Sequence, residues 1–124
     1  MRKYVLGPLI GLLAGLPLAW AQEATERYIP IGQSPGLSGL HTVIGEIQGG
    51  DYEAGRIEVA SGGRIHSVDI TEETRIWVDR SAFKLPALAG EIKDCQRGLK
   101  VEVKYEDEQD RGAADWIKVQ PAAP

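Results

Sequence analysis

Short segments in which apolar and polar residues alternate dominate the chain after its first forty residues, and this period of two predicts β-strands. Turn residues separate the segments, and Ser61-Gly62-Gly63 predicts a tight hairpin between two of them. Thr74–Val78 is either a separate strand or a bent continuation of the strand before it. The predicted strands are Thr42–Ile47, Arg56–Ala60, Arg64–Ile70, Thr74–Val78, Leu99–Tyr105 and Ala113–Gln120.

The most regular alternation lies in Leu99–Tyr105, the segment LKVEVKY. It predicts that Val101, Val103 and Tyr105 face a core, and that Lys100, Glu102 and Lys104 face water. The sheet is therefore expected to have one wet face.

The β pattern stops between Ser81 and Gly98. Leu85, Leu88, Ile92 and Cys95 recur there at a spacing of three or four residues. This period predicts one short helix that begins after Pro86 and ends before Gly98.

Residues 22–39 precede the strands and hold prolines and glycines among apolar residues, which excludes a helix over Tyr28–Gly39. We expect a flexible start from Gln22 to Arg27, and then an extended strap over the domain. A barrel domain follows over residues 40–120, and residues 121–124 form a disordered tail.

Residues 1–21 have the form of a secretory signal peptide. Arg2 and Lys3 precede an apolar run, and Ala19-Trp20-Ala21 fits the small-x-small cleavage pattern. The run is shorter than a membrane span and contains prolines, so no stable membrane anchor is expected after cleavage. The sequence predicts an exported, soluble protein that begins near Gln22, most simply in a bacterial periplasm.

The order of elements, with one helix between the third and fourth strands and a final hairpin, predicts an all-β, OB-like barrel of five to six strands. Gly45 in TVIGEI, the segment TRIWV, Gly98 in GLKVEVKY and the final AADWIKV sharpen this interpretation. Together they resemble the exported bacterial domains grouped as domain of unknown function 5666, and more loosely the bacterial OB-fold family of periplasmic stress proteins. The resemblance covers about residues 40–120 and implies a fold and a compartment, but no catalytic or ligand residue.

Net charge and cysteine content narrow the range of functions and partners that the chain can have. The formal net charge is −4 and becomes more negative when Arg2 and Lys3 leave with the leader, which argues against nucleic acid as a partner. Cys95 is the single cysteine, so no internal disulfide can form. It is expected to be a small apolar residue of the interior, with a reactive thiol as the alternative.

Candidate chemistry is sparse. His41 and His66 lack the close ligand spacing of a metal site, and the serines lack a nucleophile-elbow context. We therefore expect no enzyme activity, no metal and no cofactor.

Two tryptophans give the sharpest signal. Trp77 alternates with Ile76 and Val78, and Trp116 alternates with Ile117, so both rings are predicted on the face opposite the core. With Arg75 and Lys118 they could form an aromatic and basic binding face of the kind OB-folds use. The alternative is that the strap covers both rings, which is favoured because large aromatic side chains are rarely exposed without a partner.

These observations predict a non-enzymatic binding or accessory module of the cell envelope that binds a protein partner or a small ligand. An oligosaccharide held on the Trp77 and Trp116 face, with Arg75 and Lys118, is one alternative. A structural accessory of an envelope complex is the other.

Overall fold

The computed structural model describes residues 25–124, so the predicted signal peptide and the first residues after it lie outside the described part of the chain. Two 3-10 turns, Ser81–Phe83 and Ile92–Asp94, accompany the strands. The strands are β1 (Val43–Asp51), β2 (Arg56–Ser61), β3 (Arg64–Asp69), β4 (Arg75–Val78), β5 (Leu88–Ala89), β6 (Lys100–Tyr105) and β7 (Ala114–Val119). No helix in the described range is long and apolar enough to cross a membrane.

The strands form one sheet in the order β3-β2-β1-β6-β7-β4-β5. All pairings are antiparallel except that of β4 with β7. A parallel bridge joins Asp69, at the end of β3, to Ala113, just before β7, so the first strand of this order returns to the strand that pairs with β4. If β3 and β4 are counted as one bent strand, the sheet closes on itself and forms the OB-like barrel predicted from the sequence.

The strand β1 is long because it pairs with two different strands. Its first half pairs with β6 and its second half with β2, and the register shifts between Ile47 and Gly49. A bulge of this kind bends a strand, which lets one segment turn the corner of a small barrel. The β2–β3 hairpin turns at Gly62 and Gly63, whose φ angles of 59° and 76° suit glycine.

The helix predicted between Ser81 and Gly98 is wrong. That stretch holds the two 3-10 turns and the short strand β5, which pairs with β4. After Pro86 the chain is extended, because Leu88 and Ala89 pair with β4 and the Gly90 amide donates to the Ile76 carbonyl. Glu91 is extended as well, with φ −129° and ψ 169°, so a helix that begins after Pro86 cannot continue to Cys95. The apolar spacing reflects two separate contacts with the barrel, by Ile92 and Cys95, and not one helical face.

The core lies inside the barrel and is built from the inward positions of the strands, as the alternation predicts for Val101, Val103 and Tyr105. The outward face of β6 and β7, however, is wet only in part: Lys100 is exposed and Lys104 is half-buried, as expected, but Glu102 is not in water. Glu102 is 0% exposed and Lys118 is 1% exposed, because the N-terminal residues lie over them. The buried core comprises Val43, Ile47, Ile57, Val59, Val68, Ile76, Cys95, Val101, Val103, Tyr105, Ala114, Ile117 and Val119.

Strands β1 and β2 approach each other so closely at Gly45 that adding a side chain there tests the contact. A Cβ at Gly45 would overlap the carbonyl oxygen of Ala60, whereas at Gly112 the nearest atom would be 3.7 Å away. We expect Gly45→Ala to lower the free energy of unfolding by about 2 kcal/mol or more, and Gly112→Ala to change it far less. Urea denaturation of both variants measures the difference, and equal midpoints would contradict this account of the β1–β2 contact.

Candidate functional site

The segment predicted as an extended strap, Tyr28–Gly39, is instead a chain of tight turns. Its amides bond to carbonyls three or four residues back, as from Gln33 to Pro30 and from Ser38 to Ser34. Gly36 and Gly39 have φ angles of 74° and 82°, which closes successive turns that an extended chain could not make. Residues 25–42, called the N-terminal cover below, lie over the outer face of β6, β7 and β4.

The four residues predicted as a binding face are neighbours in the sheet. In the parallel pairing of β4 with β7, Arg75 is opposite Trp116 and Trp77 is opposite Lys118. The two rings contact each other, with centroids 6.0 Å apart and planes at 33°. Trp77 is 7% exposed and Trp116 is 2% exposed, while Arg75 is exposed. The rings therefore lie opposite the core, as the alternation indicates, but they are buried.

Lys118 is the basic residue at the centre of this face. Its ammonium nitrogen lies 2.8 Å from Glu26 Oε1 and 3.1 Å from Ser34 Oγ, both in the cover. The same nitrogen is 4.5 Å from the centroid of the Trp116 ring, a cation–π distance. A buried ammonium needs such partners, because water no longer solvates it.

Glu102 is held in the same way by donors of the cover. Its Oε1 accepts a hydrogen bond from the Gly32 amide at 3.0 Å. Its Oε2 accepts from the hydroxyls of Ser38, at 2.6 Å, and Thr42, at 2.8 Å. Three donors on one fully buried carboxylate fix the position of the cover relative to β6.

Asp79, just after β4, is the third anchor. Its Oδ2 accepts from the Ile31 amide at 2.9 Å, and its Oδ1 accepts from the Ser81 amide at the same distance. Burial by itself would raise the pKa of this carboxyl. The hydrogen bonds from Ile31 and Ser81, with the nearby charge of Lys118, outweigh burial and lower the pKa from its ordinary value.

The contact of Ser34 with Lys118 does not make a nucleophile. The ammonium of Lys118 donates to the Glu26 carboxylate, so it has no free lone pair with which to take a proton from Ser34. The Ser34 hydroxyl itself donates to Glu26. The arrangement holds a segment of polypeptide and does not activate a hydroxyl.

The other candidate residues lie apart from this face. Cys95 is fully buried in the core, and burial raises the pKa of its thiol to about 12, which favours a packing role over a reactive one. His41 is exposed, with Nδ1 2.8 Å from Glu108 Oε1, and His66 lies on β3. Within residues 25–124 no three His, Cys, Asp or Glu side chains converge as a metal site would require.

The sequence analysis missed the polar anchors Glu26, Ser34, Asp79 and Glu102. Glu102 was expected in water because strand alternation separates two faces but does not show whether a second layer covers either of them. One signal was present: a turn-rich segment with its own Glu, Ser and Thr side chains carries donors and acceptors that need partners elsewhere.

The role of Glu102 is testable against an exposed glutamate of the same barrel. Glu102→Ala leaves buried donors of the cover without an acceptor, and we expect the free energy of unfolding to fall by roughly 2 to 4 kcal/mol. The matched control Glu58→Ala, at an exposed position of β2, is expected to cost little. Denaturant midpoints for the two variants measure this, and equal costs would show that the cover is not held through Glu102.

Asp79 predicts a specific pH dependence. A carboxyl whose pKa is lowered by folding stabilises the folded protein above its unfolded pKa, and that stability is lost as the pH falls through the folded pKa. We expect wild-type stability to decline between about pH 5 and pH 2, and Asp79→Asn to show a smaller decline over the same range. Urea titrations at each pH compare the two proteins, and identical pH profiles would exclude Asp79 as a contributor.

Comparisons with known proteins found little that is similar to this chain. No family model matches it, so the resemblance to domain of unknown function 5666 stays an expectation, and no curated protein is similar to it. A solved structure described as the crystal structure of Ag(I)CusF is 19% identical and aligns with a TM-score of 0.44, over 63% of this chain and 93% of that chain. The OB-like description rests on the strand pairings of this chain, and no ligand is carried over.

Proposed function

We propose that this protein is a non-enzymatic module of the cell envelope that binds a protein partner at the free edge of its sheet. The observation that supports this most directly is a cluster of exposed apolar side chains beside β5. Phe83 is 36% exposed, Leu85 is 40% exposed and Leu88 is 45% exposed. Three large apolar side chains within six residues, all in contact with water, are typical of an interaction surface.

The edge position supports the same proposal. The strand β5 is last in the strand order, and its described partner is β4. Edge strands of soluble proteins usually carry charged side chains or lie under another segment. Here Leu88 and Ala89 form the edge, and both are exposed, so the surface suits a partner that covers it.

The charge of this edge indicates the chemistry of the partner. Residues 80–90 include Arg80 and Lys84 but no acidic residue, although the whole chain has a formal net charge of −4. A partner segment that combines apolar side chains with carboxylates would complement both features. The predicted signal peptide supports an exported location, where the partner would be an envelope protein.

The alternative in which a glycan stacks on Trp77 and Trp116 has less support. Both rings are buried, and the ammonium of Lys118 lies against the ring of Trp116. A sugar could reach this face only after the N-terminal cover had moved away. The role of structural accessory is compatible with the same exposed edge and differs only in what the partner does.

A random peptide library displayed on phage tests the proposed surface. We expect selection on the wild-type protein to enrich peptides that combine apolar and acidic residues, since both would contact the edge. The variant Phe83→Ser/Leu85→Ser/Leu88→Ser should bind the selected peptides about tenfold more weakly or worse, because the apolar anchors are removed.

The matched control is Ile65→Ser, which changes a side chain that is 60% exposed on β3. This variant should bind the selected peptides like the wild type. No enrichment, or equal binding by the triple variant, would contradict the proposal.

A further inference from the structure

The backbone of β5 has hydrogen-bonding groups that point away from the sheet. The Gly90 amide, directly after β5, donates to the Ile76 carbonyl of β4 at 2.7 Å. In the antiparallel pairing of the two strands Leu88 is opposite Val78, and residues two apart direct their backbone groups to the same side. The backbone groups of Leu88 and Gly90 therefore face β4, and the amide and carbonyl of Ala89 face the opposite side.

The next outward amide along the chain already has an acceptor. It belongs to Glu91, and it donates to Asp94 Oδ2 at 2.7 Å in a capping box. Residues 25–124 supply no such acceptor for the Ala89 amide, and they place no strand beyond β5 in the sheet. An edge with an unpaired amide and carbonyl is a template for a further strand.

A closed loop stands at the start of β5. The Leu85 amide donates to the Arg80 carbonyl at 3.2 Å, and Arg80 Nε donates to the Pro86 carbonyl at 2.8 Å. These two bonds hold the ends of the loop together, with Phe83 exposed between them. An extended segment that lies along β5 therefore meets this loop at one of its ends.

From these observations we propose that the partner binds this edge as an added β-strand, an extended peptide segment whose main chain pairs with Ala89. The inference rests on the proposed function and adds how the edge recognises its partner. In strand addition, main-chain hydrogen bonds give affinity and the neighbouring side chains give specificity. A helix on the same edge would leave the Ala89 groups unpaired, because a helix bonds its own backbone.

The side chains of the edge specify the pattern of the bound segment. Successive residues of a strand face opposite ways, so the residues that lie on the same side as Leu88 recur at every second position. A carboxylate at the end that meets the loop would complement Arg80 and Lys84, since residues 80–90 contain no acidic residue. The ligand class is therefore an extended segment with alternating apolar residues and at least one carboxylate.

The probe for this inference is a synthetic copy of a phage peptide that binds the wild-type protein and binds the Phe83→Ser/Leu85→Ser/Leu88→Ser variant more weakly. In a series of versions, each carries one backbone N-methyl group, which removes one amide donor and leaves every side chain in place. Calorimetric titration of the wild-type protein gives the affinity of each version.

We expect one sensitive position in this series. Methylation at the residue opposite Ala89 should weaken binding about tenfold or more, because that amide faces the edge. Methylation at the residue on either side should have little effect, because those amides face away from β5. Equal affinity of all versions, or an equal loss in all of them, would overturn strand addition.

Hydrogen exchange of single amides, followed by NMR, tests the protein side of the same contact. With saturating unmethylated peptide, the Ala89 amide should exchange about tenfold more slowly or less, because it then donates to the peptide. The Gly90 amide already bonds to Ile76 and should change far less. The Ile65 amide of β3, at the other end of the strand order, should not change. No slowing at Ala89, or slowing at Ile65 in its place, would overturn the proposal.

The outcomes separate this inference from the proposed function. If selection yields no peptide that the triple variant binds more weakly, both are contradicted. If such a peptide binds, but Ala89 keeps its exchange rate and no single methylated position is sensitive, the proposed function stands and strand addition is overturned. Both measurements use the wild-type chain, so neither depends on the folding of a variant.

Discussion

Two charged side chains on the outside of the barrel, Glu102 and Lys118, are out of contact with water, and the N-terminal cover exists in its observed form because of them. Each would be costly to bury alone. The cover supplies three donors to Glu102, and a carboxylate with a hydroxyl to Lys118. The tight turns of the cover position these groups so that each one reaches its partner on the barrel.

This attachment gives the small protein a second layer. The first layer is the apolar interior of the barrel, and the second is formed by the tryptophan pair, the charged side chains and the cover. Buried charges contribute less to stability than apolar groups of the same size, but they accept few alternative positions of their partners. The cover is therefore placed specifically, and the face it occupies is well suited to recognise one particular segment.

Two surfaces of the molecule then differ in character. The edge at β5 exposes apolar side chains that nothing in residues 25–124 covers, so it is suited to a partner of another kind. The face beneath the cover is already satisfied by this chain's own segment.

The sequence by itself determined most of the strands and which of their side chains point into the core. Strict alternation in β6 and the Gly62-Gly63 turn depend on neighbouring residues, and these local rules are strong enough to predict the strands, the inward side chains and the OB-like order. It failed between Ser81 and Gly98, because a short apolar period does not distinguish a helix from two turns that contact the barrel separately. Only the tertiary structure decided that Glu102, Lys118 and both tryptophans are buried, since their burial depends on where residues 25–42, distant along the chain, come to rest. Alternation tells which residues share a face, but whether that face meets water depends on the rest of the chain.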